Sequence, residues 1–229
     1  MMIRSLLLSS AFSLSASVLA LPDFSGVWML SGPGSESEIL LTEEGRRLQW
    51  EYDLLTDDPS LLCVPASVAR IWANPNSGIK IELSDDAVLI SYELFDLRRK
   101  IPIGDVSVMP VLPSTKNLSG TAFSEMGSSV AQLENGRLII ESRNHTIGYI
   151  RTSRGIPQSS NTVAFEELDI EEGVLHITHT YIDDTLYEKP IVLEYVFRKT
   201  EESDIFLYEC SDADYDWFNK LNASAQELN

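Results

Sequence analysis

From residue 79 onward much of the chain alternates apolar and polar residues with a period of two, the pattern of half-buried strands. Residues 79–83 alternate, Asp85-Asp86 interrupts them, and residues 88–94 answer in kind, which predicts a hairpin. A further strand ends near Ile101, and residues 102–118, with three prolines, read as a loop. Residues 122–134 form a weaker strand region. Asn135-Gly136 follows, and both residues tolerate the positive φ of a type I′ turn. Residues 137–142 leave that turn as a strand, and residues 162–170, 174–182 and 191–198 repeat the pattern. Upstream, residues 23–30 read as a first strand, and Thr42 caps a short helix over residues 43–52, with two acids in its first turn. Residues 59–76, with Pro59, Pro65 and Pro75, read as irregular; residues 212–221 read as a closing helix. Eight to ten strands joined by short turns predict an all-β, mainly antiparallel fold. It is a single barrel or sandwich with one or two short helices.

Residues 1–20 change the picture of where this fold operates. Arg4 precedes an apolar, serine-rich run that ends in Val18, Leu19 and Ala20, the layout of a secretory signal peptide. The run is short for a transmembrane helix, and no later stretch approaches 18 apolar residues. Residues 21–229 are then the mature β-rich domain, periplasmic or secreted. Cys63, in the irregular proline-flanked stretch, and Cys210, read as ending the last strand before the closing helix, are the two cysteines of the chain. In an oxidising compartment they predict one structural disulfide, closing a loop of about 147 residues. Two free buried thiols or a redox pair are the alternatives, and no CxxC and no neighbouring His supports the redox reading.

Composition excludes more than it selects. With 44% hydrophobic and 23% charged residues the chain is ordinary globular material. Its 17 Lys and Arg stand against 35 Asp and Glu, a net charge of −18. Nucleic acid and anionic membrane surfaces, which both require cations, are poor partners for it.

Catalytic constellations are thin. His176 and His179 are three apart in a strand, so their rings point to opposite faces and make a poor metal pair. His145 stands alone in a turn. Asp57-Asp58 and Asp183-Asp184 lie where Asp caps turn backbone, and no Asp-x-Asp-x-Asp-Gly calcium loop is present. Ser25, Ser128, Ser129 and Ser159 lack a Gly-x-Ser-x-Gly context, and the glycines are too scattered for a phosphate loop. No metal or cofactor is expected. Charges inside apolar strands are more informative. Glu93, Arg98 and Arg99 lie in or beside the 92–99 strand region, and Arg70 lies in an apolar run. Such charges are paired when buried. An internal Glu93–Arg pair fixing strand register is one reading. The other is a polar anchor for a ligand in a barrel mouth, built from Arg70, Tyr92, Glu93 and Arg99.

The Gly26-Val27-Trp28 start resembles the opening of lipocalin-like barrels. An ordered set of motifs extends the likeness: Phe24-Ser25-Gly26-Val27-Trp28, Asp57-Asp58-Pro59-Ser60-Leu61-Leu62-Cys63-Val64-Pro65, Tyr92-Glu93-Leu94-Phe95 and Tyr208-Glu209-Cys210. With these the chain resembles a widespread family of secreted, functionally uncharacterised bacterial β-rich proteins. The resemblance implies export, a β-rich fold and two paired cysteines, and no reaction. Where many members of that family carry Gly-His-Ser and Pro-His-Ser, this chain has Gly127-Ser128-Ser129 and Pro157-Gln158-Ser159. Ser and Gln cannot replace His as a base near neutral pH. The leading expectation is an exported, non-enzymatic β-barrel that binds a small, partly apolar ligand or serves the cell envelope. A carboxylate-dependent hydrolase in a β-fold cleft is the alternative, and pairing of exposed strands with a partner protein is a third.

Overall fold

The computed structural model describes residues 22–206, 208, 210 and 211. The signal peptide read over residues 1–20 and the helix read over residues 212–221 lie outside the described residues.

The described residues hold thirteen strands: β1 (Gly26–Leu30), β2 (Ser35–Glu36), β3 (Gly78–Leu83), β4 (Ala87–Tyr92), β5 (Leu97–Pro102), β6 (Thr115–Asn117), β7 (Ser128–Glu134), β8 (Arg137–Arg143), β9 (Gly148–Arg151), β10 (Ile156–Gln158), β11 (Val163–Glu171), β12 (Val174–Ile182) and β13 (Ile191–Lys199). Two α-helices, α1 (Glu43–Glu51) and α2 (Val68–Trp72), lie in the first third. The main sheet runs β6-β5-β4-β3-β1-β13-β12-β11-β8-β7, with antiparallel pairing throughout and β2 added to β13. This is an up-and-down meander whose first and last long strands, β1 and β13, lie side by side.

The two remaining ends of the sheet also meet. Ile103 bridges Ala131, Gly104 N–H donates to the Ala131 carbonyl (2.9 Å), and Ser114 N–H donates to the Gly127 carbonyl (3.0 Å). The sheet therefore closes into a barrel rather than splitting into a sandwich, and its seam lies between β5–β6 and β7. Few backbone bonds span this seam, so side chains carry much of the closure.

Turn chemistry follows the expected rules. Asn135 (φ 51°) and Gly136 (φ 84°) both take the left-handed region between β7 and β8. Asp183 accepts from Ser159 Oγ, Thr162 Oγ1, and the N–H and Oγ1 of Thr185, and Asp58 accepts from Ser60 N–H and Oγ. Both of these acids cap backbone, as read from the sequence. Thr42 caps α1 through Gly45 N–H (3.1 Å).

Three expectations change. Residues 59–76 are not merely irregular: they hold a 3₁₀ turn, Pro59–Leu62, and α2, which Ser67 caps through Arg70 N–H (3.1 Å). Five residues are too few for a helical period to show, and the prolines dominate the local pattern. The short β9–β10 pair was not legible either, because strands of three or four residues carry little alternation. Lastly, the last strand among the described residues ends at Lys199, so Cys210 lies well beyond it rather than at its end. The disulfide itself forms: Cys63 and Cys210 are bonded with their Cα atoms 5.8 Å apart, within the span such a bond requires. His176 and His179 point to opposite faces of β12, the first partly exposed and the second buried.

Candidate functional site

The barrel interior is assembled from alternate residues of every long strand. Ile79 and Ile81 of β3, Ile90 and Tyr92 of β4, Leu97 and Ile101 of β5, Leu175 and Ile177 of β12, and Leu193 and Phe197 of β13 are all buried. Helix α2 lies against this interior with Val68, Ala69, Ile71 and Trp72 buried. Ala69 N–H donates to Tyr181 Oη (2.9 Å), and the Trp72 ring meets Tyr92 and Phe197 edge-on, at 5.5 and 5.4 Å between centroids. Trp28 Nε1 donates to the Phe24 carbonyl (2.9 Å).

Two charges occupy apolar parity positions in this interior. Arg99 alternates with Leu97 and Ile101 on β5, and Glu166 alternates with Ala164 and Leu168 on β11. Both side chains are 0% exposed and they form a two-pronged pair: Arg99 Nη2 to Glu166 Oε1 at 2.6 Å and Nη1 to Oε2 at 3.0 Å. Glu166 also accepts from Trp72 Nε1 (2.7 Å), and Arg99 Nη2 also donates to Ser129 Oγ (2.9 Å) and Ser142 Oγ (3.1 Å). Arg99 thus reaches from β5 across the sparse seam to β7, β8 and β11.

Electrostatics agree with a closed pair. Burial alone would raise the Glu166 pKa, but the adjacent Arg99 charge and its hydrogen bonds outweigh burial and hold the carboxyl below its ordinary value. Burial works against the Arg99 charge, and Glu166 more than restores it. His179, beside Glu166 in the strand register, packs edge-on against Tyr195 at 5.8 Å, and burial pushes it down to about 4, neutral at pH 7. Burial raises the Tyr92 phenol.

Of the four residues read as a ligand anchor, the fold unites two. Tyr92 Oη lies 3.4 Å from Arg99 Nη1, and both side chains are buried. Arg70 lies half-exposed on α2, and no hydrogen bond joins it to that pair. Glu93 does not meet an arginine. It accepts from Gly78 N–H (2.6 Å) and Phe206 N–H (2.8 Å), tying the chain after β13 to the end of β4. The expected Glu93–Arg pair is therefore corrected to Arg99–Glu166, whose members are 67 residues apart. Glu166 was overlooked because Glu-Glu in a charged strand looks solvent-facing. Its parity with Ala164 and Leu168 was the available signal.

One sizeable cavity lies outside the barrel. It is a groove of about 750 Å³ on the outer face of β4, β5 and β6, walled by the proline-rich segment 103–114. Leu89, Val108, Leu112 and three prolines supply its apolar lining, and Arg98, Lys100 and Lys116 its charge. Leu112 is 69% exposed and the neighbouring Val111 94%. Ser128 Oγ donates to the Leu112 carbonyl (3.0 Å) and pins the wall to β7. Ser128 is thus a structural anchor, and Gln158 likewise donates its buried amide to the Glu125 and Thr146 carbonyls.

No family model and no curated protein matches the chain. Solved structures with a similar fold include a variant of the fluorescent protein UnaG (14% identity, 78% of this chain and 97% of that one, TM-score 0.41). Zebrafish ileal bile acid-binding protein complexed with cholic acid matches at 14% identity over 77% and 98%, TM-score 0.39. A secretory abundant heat soluble protein from Ramazzottius varieornatus matches at 12% identity over 77% and 95%, TM-score 0.40. Scores this low decide nothing about what this chain binds.

Proposed function

We propose that this protein is an exported, non-enzymatic carrier or sensor of a small, partly apolar molecule, held in the outer groove rather than in the barrel. One observation carries the reading. The interior charges of Arg99 and Glu166 are paired with each other and with Trp72, leaving only Arg99 Nε and the two His179 ring nitrogens without a hydrogen bond there, while the groove combines an apolar lining with three cations at a volume normal for small-ligand sites. The signal peptide read in residues 1–20 and the Cys63–Cys210 bond support export, since disulfides persist in oxidising compartments. No helix among the described residues is long and apolar enough to cross a membrane.

The test uses N-phenyl-1-naphthylamine, an uncharged dye that brightens in apolar surroundings. Wild-type protein should enhance its fluorescence saturably, and Leu112→Asp, at an exposed position, should reduce that enhancement at least fivefold without altering the circular dichroism. Enhancement unchanged in Leu112→Asp would remove the groove from the reading.

A further inference from the structure

We infer that the groove selects an anionic single-chain amphiphile, with the head group held by Arg98, Lys100 and Lys116 and the chain laid along Leu89, Val108 and Leu112. This rests on the groove reading above and adds the ligand class.

The charge arrangement is the first argument. In the β5–β6 register Arg98 stands directly opposite Lys116, and Lys100 lies two residues along β5 on the same outer face. Like charges placed opposite each other on a sheet repel and are normally avoided. Elsewhere the described cations are mostly satisfied: Arg46, Arg47, Lys80, Arg137, Arg143, Arg151, Arg154, Lys189 and Lys199 all lie within 4 Å of a carboxylate. Arg98, Lys100 and Lys116 have no such partner among the described residues, in a chain whose net charge is −18. Arg98 donates to the backbone carbonyl of Leu97 (2.8 Å), which fixes its guanidinium without neutralising it. Asp86 also lines the groove, but its carboxylate accepts from Ser84 Oγ (2.8 Å) in the β3–β4 turn. A sheet face that concentrates unpaired cations on an acidic protein is complementary to an anion.

The lining is the second argument. A purely ionic ligand would need no apolar wall, yet Leu89 sits directly opposite Lys100 in the register, and Val108 and Leu112 are held out from segment 103–114. Pro110 and Pro113 set the backbone of that wall at low entropic cost. Each methylene of a ligand buried there strengthens binding about fourfold. Cations and apolar surface lie within one groove of about 750 Å³, the size of a small molecule rather than of a protein interface.

Isothermal titration of the full chain with laurate, dodecyl maltoside, dodecyltrimethylammonium and butyrate separates the contributions. Laurate is expected to bind at least tenfold more tightly than the uncharged or cationic twelve-carbon probes, and butyrate at least tenfold more weakly than laurate. The double variant Lys100→Glu/Lys116→Glu should lose at least tenfold for laurate and none for dodecyl maltoside. Equal binding of laurate and maltoside, both abolished by Leu112→Asp, would overturn the anionic preference and leave the groove reading intact. No binding of any probe would overturn both. Sedimentation is run in parallel: a dimer dissolved by the double charge reversal would assign the groove to the acidic surface of a second copy, and overturn the proposal.

Discussion

The barrel interior and the outer groove treat charge in opposite ways. In the interior, Arg99 and Glu166 are fully buried and each meets the other at hydrogen-bond distance, and Trp72, Ser129 and Ser142 add further bonds, with Arg99 Nε left unpartnered. In the groove, Arg98, Lys100 and Lys116 crowd one sheet face with no carboxylate within 4 Å among the described residues, and Asp86, which shares the lining, is held by Ser84. Arg98 and Arg99 are adjacent in sequence, yet strand alternation sends one to each environment. A buried ion pair is costly to form and more costly to break, because the surviving charge is stranded in low dielectric. An exposed cluster costs little to keep and is available to a ligand. The presence of charge therefore does not separate the two regions; whether the fold supplies a partner does.

Glu166→Leu should break the interior hardest. It strands Arg99, and about 3–5 kcal/mol of stability should be lost, or roughly 10 °C in melting temperature for a chain of this size. Thermal circular dichroism checks it, and the double variant Arg99→Met/Glu166→Leu should recover most of the loss. A single variant within 1 kcal/mol of wild type would mean that the interior is not sealed. Next in size, reduction of Cys63–Cys210 should cost about 2–4 kcal/mol, read as a fall in the urea midpoint.

The pH dependence sharpens the same contrast. Burial lowers the pKa of His179 to about 4, and burial also lowers that of His145. The unfolded chain binds those protons more readily than the folded one. Their contribution is therefore fully present above pH 6.5 and is lost as pH falls from there toward about 4. Denaturation midpoints between pH 7 and 4 should fall, and His179→Leu should flatten the slope. An unchanged slope would show that protons reach His179 in the folded barrel. The smallest effect belongs to the groove. Lys116→Glu should shift stability by no more than about 0.5 kcal/mol, because exposed substitutions rarely do more. A loss above 2 kcal/mol would make Lys116 part of the framework.

Legibility followed length and periodicity. The β11, β12 and β13 strands, nine residues each, and the Asn135-Gly136 turn could be read directly, because alternation and positive φ are local demands. The α2 helix could not, because its formation depends on Tyr181 and the barrel wall, which are remote in sequence. The candidate site was legible only in part. Arg99 and Tyr92 were identified as unusual, but their role reversed once Glu166 arrived from β11, and the groove arose from a loop that reads as bare proline punctuation.

What the sequence by itself determined is local: strand parity, turn positions, the Thr42 cap, and the presence of two cysteines able to pair. These follow from backbone stereochemistry and from which side chains prefer water. What only the tertiary structure decided is which distant residues share a space. Closure of the sheet at the β5–β7 seam chose Glu166 as the partner of Arg99 and left Arg98, Lys100 and Lys116 together outside. The reason is physical: pairing energies depend on distance and dielectric, and neither exists until the barrel has closed.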